Sequence, residues 1–179
     1  MLTHAHEDHY GAVLDLWPKL QVPVYCTAFT AGLLRVKGNQ ILNLIKCHLI
    51  FFKQDCFHVG PFAIESVAVN HSIPESVSLA ITTSLGTVIH TGDWKIDHTP
   101  SLGAVTDEKR FRNLGNKGVL ALLCDSTNAC RDGISPSEQQ VQTSLSEIIS
   151  KAEGRVAIAT FASNIGRIRS ISSCSSCWT

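Results

Sequence analysis

Thr3-His4-Ala5-His6-Glu7-Asp8-His9 places three histidines and two carboxylates within six consecutive positions, almost at the first residue of the chain. Met1-Leu2-Thr3 is short and apolar enough to be the end of a strand. From Tyr10 the chain reads as an amphipathic helix with Val13, Leu14 and Trp17 on one face, stopping at Pro18. The cluster therefore falls on a strand-to-helix loop. In extended backbone, residues i and i+2 point the same way, so His4 and His6 can reach one ion together. Asp8 and His9 stand at the helix start and turn toward a neighbouring point. Imidazole and carboxylate suit zinc or another first-row divalent ion. Four ligands split two and two read as half of a two-metal site. A solvated polar loop with incidental histidines is the bland alternative, and the spacing speaks against it.

Further polar groups gather at later strand ends. Phe62 to Val69 reads as a strand ending in Asn70-His71-Ser72-Ile73-Pro74-Glu75-Ser76, where His71 can be a third ligand delivered from a distant part of the chain. Ser78–Thr83 and Gly86–Thr91 are β-type runs joined by a tight turn. The second ends in His90-Thr91-Gly92-Asp93-Trp94-Lys95. Asp93 follows a glycine and can project into the same cavity, where its two oxygens can bridge two cations; an ordinary turn aspartate is the alternative. His90 points to the opposite side and is not counted as a ligand. Gly118 to Cys124 is a continuous apolar run, as in a buried strand, and ends at Asp125-Ser126-Thr127-Asn128. Asp125 can hold a metal-ligating histidine from behind or cap the following turn; these residues leave both open.

Elsewhere Val22–Cys26 reads as a short strand and Ala28–Val36 as a helix capped by Thr27. Ile41–Phe52 fits helix or strand, and His48 and His58 read as partly buried structural histidines. Residues 98 to 117 read as an irregular surface connection. Ser135-Pro136-Ser137-Glu138 predicts a helix start, with Ser135 as cap, Pro136 at the first helical position and Glu138 as the capping-box partner. Val141, Leu145, Ile148, Ile149 and Ala152 form its apolar face. Arg155–Phe161 reads as a strand, followed by Ala162-Ser163-Asn164-Ile165-Gly166-Arg167 and a further helix. Such a strand, small-residue loop and helix start can offer N–H groups to a phosphate, with Arg167 and Arg169 adding positive charge; an ordinary connection is the alternative. Cys174-Ser175-Ser176-Cys177 is a lone C-x-x-C in a serine-rich tail, a weak signal for metal or redox chemistry.

With 179 residues, 44% hydrophobic and 17% charged, the chain is globular and holds one ordinary domain, or one plus part of another. Its formal net charge is zero, so nucleic-acid contact must rest on a local patch rather than a basic excess. The seven cysteines are odd in number, show no disulfide framework, and fit free thiols in a reducing cytoplasm. No apolar run is long enough to span a membrane.

His4-Ala5-His6-Glu7-Asp8-His9 matches the H-x-H-x-D-H signature of metallo-β-lactamase-fold hydrolases. Taken with the segments at Asn70–Ser76, His90–Lys95, Asp125–Asn128 and Phe161–Arg167, in this order, the chain resembles the ribonuclease J family, in the β-CASP subgroup that acts on nucleic acids. The resemblance is weakest from Lys37 to His58 and after Ser170. It implies an α/β architecture: residues 1–135 as a metallo-β-lactamase-like αββα sandwich without its N-terminal strands, and residues 136–179 as the start of an α/β β-CASP domain. It implies that His4, His6 and His71 hold one zinc, that Asp8 and His9 hold a second and that Asp93 bridges them, with manganese or magnesium as alternatives. Asp8 and Asp93 are then the catalytic carboxylates, Asp8 with a share in proton handling. Asp125 matches an acidic motif of the family, and Ser163 and Asn164, with Arg167 beside them, lie near where the family handles RNA.

The implied activity is 5′-exo- and endoribonucleolytic hydrolysis of phosphodiesters by a water activated between two cations. RNA is the implied partner, with no membrane association, a cytoplasmic location, and homo-oligomerisation of the full-length family members. No histidine follows His98, so the family's later histidine-bearing motifs are absent, and the chain starts just before the metal loop. The expectation is a fragment with reduced or no activity of its own and an uncovered apolar sheet face. Two further readings are a hydrolase of a small ester or thioester, which the segment after Ser135 disfavours, and a non-catalytic remnant.

Overall fold

The computed structural model describes residues 1–38, 49–51 and 56–175, with backbone alone at 49–51 and 175. Strand β1 (Val24–Cys26) pairs in parallel with β2 (Leu49–Phe51). A five-stranded sheet follows in the order β3 (Cys56–Val59), β4 (Phe62–Ala68), β5 (Val77–Thr83), β6 (Gly86–His90) and β7 (Ala121–Leu123). Its pairings are antiparallel up to β6, and β6–β7 is parallel. A parallel neighbour needs a crossover, and the segment carrying helix α4 (Glu108–Lys117) supplies it. Ahead of the sheet, Met1–Thr3, expected as a strand end, belongs to no strand but is tied in by backbone bonds. The Leu2 N–H donates to Tyr25 O at 2.8 Å and Thr3 O accepts from the Val77 N–H at 3.0 Å, so the segment is held between β1 and β5.

Register decides which side chains share a layer. Ile64 faces Ile81 and Glu65 faces Ala80, so neighbours alternate between the two sides of the sheet. On one side Ile64, Val77 and Leu79 pack with Tyr25, Phe57 and Ile81. On the other Val67, Ala80 and Ile89 meet Leu114 and Phe111 of α4, and Arg110 clamps Glu65 with two N–H donors. A separate core joins Leu2, Leu14 of α2 (Val13–Leu20), Val24, Cys26, and Ala31 and Leu34 of α3 (Ala28–Lys37). Leu2 and Leu14 flank the histidine-rich loop, and burying each stabilises its anchorage by about 1.5–3 kcal/mol. Thr27 caps α3 as expected, its side chain accepting from the Thr30 N–H.

Several expectations are corrected. Pro18 lies inside α2 and does not stop it; the helix runs to Leu20 and closes on Gln21 at φ 48°. Pro18 only removes the N–H that would bond to Leu14, a loss the two remaining residues tolerate. Residues 108–117, expected to be irregular, form α4 under an Asp107 cap that accepts from the Arg110 N–H. Only Phe111 and Leu114 mark its buried side, too few apolar positions to show a helical period in so charged a stretch. β7 is not buried: Leu120, Leu122 and Leu123 are all more than half exposed because the strand lies at the sheet edge. Arg155–Phe161 forms no strand; it is exposed and pairs with no described strand. His58 is exposed on β3. His48, most of Ile41–Phe52 and Cys177 lie outside the described residues.

The helix after Ser135 is α5 (Glu138–Ser150), but its cap is Ser137 with Gln140 as capping-box partner, not Ser135 with Glu138. Glu138 is engaged elsewhere. Its N–H donates to Asp97 Oδ2 at 2.9 Å, and its carboxylate takes Lys95 Nζ at 3.2 Å and Arg167 Nε and Nη2 at 3.1 and 3.2 Å. Arg167 belongs to α6 (Ile165–Ser175), which packs on α5 around buried Cys174, with Ser146 Oγ 2.9 Å from Cys174 Sγ. Among the described residues no helix is long and apolar enough to cross a membrane.

Burial pushes the Asp97 carboxyl up, but the Glu138 and Thr99 N–H groups and the Lys95 ammonium outweigh it and hold the carboxyl below its usual 3.8. Burial acts the same way on Glu138, and Arg167 and Lys95 hold it below 4.5. Depressed carboxyls stabilise the fold above their unfolded values, and that contribution is lost as pH falls through the folded ones. The melting temperature should therefore drop as pH falls below about 4, and Asp97→Asn should flatten that acid limb while lowering the plateau; calorimetry across pH 3–7 checks both. The exposed leucines of the β7 edge predict concentration-dependent self-association, which Leu122→Lys should reduce in sedimentation velocity.

Candidate metal centre

The loop from His4 to His9 begins as the chain leaves the β1–β5 bridge and becomes helical at α1 (Glu7–Tyr10). His4 is fully buried, with its Nδ1 3.1 Å from Thr3 Oγ1. Its Nε2 is buried with no hydrogen-bond partner. His71 follows the Asn70–Lys95 bridge beyond β4, and its Nε2 stands 3.0 Å from His6 Nδ1. Asp93 lies just beyond β6. One ligand atom from each of His4, His6, His71 and Asp93 falls within 4.8 Å of all the others.

The two carboxylate oxygens of Asp93 face different partners. Oδ2 lies 3.7 Å from His4 Nε2 and 3.6 Å from His71 Nε2, whereas Oδ1 lies 3.4 Å from His9 Nε2. Asp8 Oδ2 stands 3.6 Å from the same His9 nitrogen, with the Asp8 side chain 79% exposed. All six residues read from the sequence as ligands are thus brought to one place, four as a tight set and Asp8 and His9 on its open side.

Electrostatics favour neutral imidazoles. Burial, reinforced by neighbouring His9, His71 and His6, pulls His4 down to about 3. Burial and His6 pull His71 down to about 4 against the opposing pull of Asp93 and Asp125, and burial also lowers His6. A neutral imidazole nitrogen that is buried and unpaired costs about 1–3 kcal/mol unless something accepts its lone pair. A divalent cation does so, and three imidazoles with a carboxylate are a donor set for zinc and similar ions. The residues present fit a metal ion.

Local backbone aims the carboxylate. Gly92 adopts φ +59°, and a Cβ there would sit 3.0 Å from the Thr3 side chain and 3.2 Å from Val77 O. Thr91 is held by an N–H bond to Leu123 O, by Ser78 Oγ donating to its carbonyl at 2.6 Å, and by Oγ1 accepting from the Asp125 N–H. The Asp125 carboxylate accepts from Thr127 N and Oγ1, capping the turn, and these bonds hold it below its usual value. Ser163 and Asn164 form the turn before α6, where Asn164 Oδ1 accepts from the Arg167 N–H. Asn164 shares a small cleft with His71, Ser72, Ser101 and Glu138.

The sequence reading missed Thr3 and Ser72, whose hydroxyls touch His4 and His6; both lie inside the segments it quoted. It also missed Lys95 and Asp97, for which the sequence carries no signal.

A family profile described as beta-lactamase superfamily domain matches residues 1–127. A Sinorhizobium meliloti protein named Ribonuclease J is 62% identical over 96% of this chain and 30% of its own length. A Bacillus subtilis protein named Ribonuclease J2 is 42% identical over 95% of this chain and 31% of its own. The chain thus spans about a third of the length of these curated relatives. A crystal structure of an Enterococcus faecalis V583 protein of unknown function superimposes with TM-score 0.64 at 20% identity, covering 95% of this chain and 43% of that one, and bears on the fold alone.

His4→Ala should abolish tight divalent-metal binding in isothermal titration. Gly92→Ala, which forces a side chain into left-handed backbone beside Thr3, should weaken binding by about 10–100-fold, as loss of support around a metal site does, while leaving the far-UV circular dichroism unchanged.

Proposed function

Because the chain belongs to the beta-lactamase superfamily, we propose that it carries the metal centre of a nuclease that hydrolyses RNA phosphodiesters. The observation that supports this most is the split of the Asp93 carboxylate between His4 and His71 on one oxygen and His9 on the other. On this reading His4, His6 and His71 would hold one zinc ion, Asp8 and His9 would hold a second, and Asp93 would serve both. Such a pair supplies Lewis-acid stabilisation of phosphate oxygens and a water made nucleophilic near neutral pH.

The chain's own residues prepare that chemistry. His4, His6 and His71 offer lone pairs without first losing a proton. Thr3 orients the His4 ring and Ser72 the His6 ring. The exposed Asp8 carboxylate can take a proton at the solvent edge. Asp125 holds the 125–127 turn beside Trp94, and its charge faces His71. Ser163 and Asn164, with Arg167 beside them, meet the RNA backbone across the cleft from His71. Residues 1–135 form the catalytic unit and residues 136–179 the beginning of the substrate-binding unit, in a cytoplasmic enzyme that assembles as a homo-oligomer at full length.

The test is cleavage of a single-stranded RNA by the zinc-loaded chain. Cleavage should disappear with chelator, return on adding zinc or manganese, and fall by at least about 100-fold in Asp93→Asn. Cleavage that persists without metal, or hydrolysis of a thioester but not of RNA by the loaded chain, overturns the reading.

A further inference from the structure

Glu138 is the meeting point of three segments. Lys95 and Asp97 come from the segment that follows the metal-site aspartate, Glu138 opens α5, and Arg167 lies in the first turn of α6. The Lys95 N–H donates to Asn70 O at 2.9 Å and Thr106 Oγ1 donates to Lys95 O at 2.8 Å. Lys95 is therefore fixed to the residue preceding His71. Its ammonium reaches Asp97 at 3.0 Å and Glu138 at 3.2 Å, and Glu138 in turn holds Arg167 with two bonds. The Asp97 and Glu138 side chains are 1% and 15% exposed and those of Lys95 and Arg167 27% and 28%, so the carboxylates are shielded from water while the cations keep part of their hydration. Arg167 also receives the Asn164 side chain on its backbone N–H. Gly166 closes the far side, where a Cβ would stand 2.5 Å from Ser101 Oγ.

We propose that Glu138 is a positioning residue: through Lys95 and Arg167 it sets the Ser163–Asn164 turn at a defined place across the cleft from His71. This rests on the nuclease reading for its consequence, because that turn is there taken to meet the RNA backbone. Two cations converge on one shielded carboxylate, so the joint resists shear between α6 and the metal-bearing segment as an apolar contact would not. Arg167 serves RNA through Glu138, holding the turn in place, and its charge is already matched by that carboxylate.

Removing one partner of a shielded ion pair leaves the others uncompensated, which makes the joint testable. The zinc-loaded chain of 179 residues, with Glu138→Ala and Glu138→Gln, is followed by hydrogen exchange, by zinc competition titration and by anisotropy of a labelled single-stranded RNA. In Glu138→Ala, amides from Ser163 to Ile168 should exchange about tenfold faster while those of β4 to β6 stay protected. Zinc affinity should be unchanged, and RNA affinity should fall about tenfold. Glu138→Gln keeps the shape and an acceptor, so it should recover part of both losses. Unchanged exchange at Ser163–Ile168, faster exchange spread equally over β4 to β6, or loosened exchange with undiminished RNA affinity each overturns the proposal. Should the parent chain bind no RNA, the nuclease reading fails and the exchange pattern alone decides whether Glu138 is the joint.

Discussion

Asp93 stands within 3.7 Å of nitrogen atoms on His4, His9 and His71. Residues from the first strand-like entry, from the turn after β4 and from the turn after β6 have to arrive together for this to happen. The sheet enforces it. Thr3 O takes its N–H from the first residue of β5, Ser78 of the same strand ties down Thr91, and Leu123 of β7 accepts from Thr91. Gly92 then turns the chain at φ +59°, left-handed backbone where a Cβ of its own would press on Thr3, and Asp93 follows it. The ligand cluster is thus an output of strand pairing, and a slip of one residue in the β5–β6 register would turn Asp93 away.

Gathering these groups is costly without a cation. The His4 ring centroid lies 4.1–5.0 Å from those of His6, His9 and His71, and His6 and His71 are 4.7 Å apart. Burial disfavours protonating any of the inner ones. The fold holds them with the apolar contacts of Leu2 and Leu14 on either side of the loop. A bound divalent ion would satisfy the unpaired His4 nitrogen and would favour the folded chain over the unfolded one, since no preformed site exists in the latter.

Helices α5 and α6 are attached by a different physics. They pack on each other around buried Cys174 and meet the metal-bearing segment through Lys95, Asp97, Glu138 and Arg167. Apolar burial is indifferent to small sliding, whereas hydrogen-bonded charges fix direction. Meanwhile the β7 edge keeps its leucines in solvent.

That these side chains could gather was legible in the sequence because their placement is local: alternation places His4 and His6 on one side of an extended segment, and His71 and Asp93 each stand where a β-type run gives way to a glycine- or hydroxyl-rich turn. The Thr27 cap and the strands β4 to β6 follow from the same short-range rules. What depends on distant partners was not legible. The helix α4 shows only Phe111 and Leu114 to the sheet, the apolar run at Ala121–Leu123 becomes an exposed edge because nothing described lies beyond it, and Val156 and Ile158 form no strand for want of a neighbour among the described residues. Glu138 illustrates the division most plainly. The Ser-Pro-Ser-Glu stretch announces a helix start by itself, but Lys95, Asp97 and Arg167 come from elsewhere in the chain, and only the folded arrangement of three segments makes that glutamate a joint and moves the cap to Ser137. Sequence spacing settles which side chains can share a face; long-range pairing of strands and charges settles which faces meet.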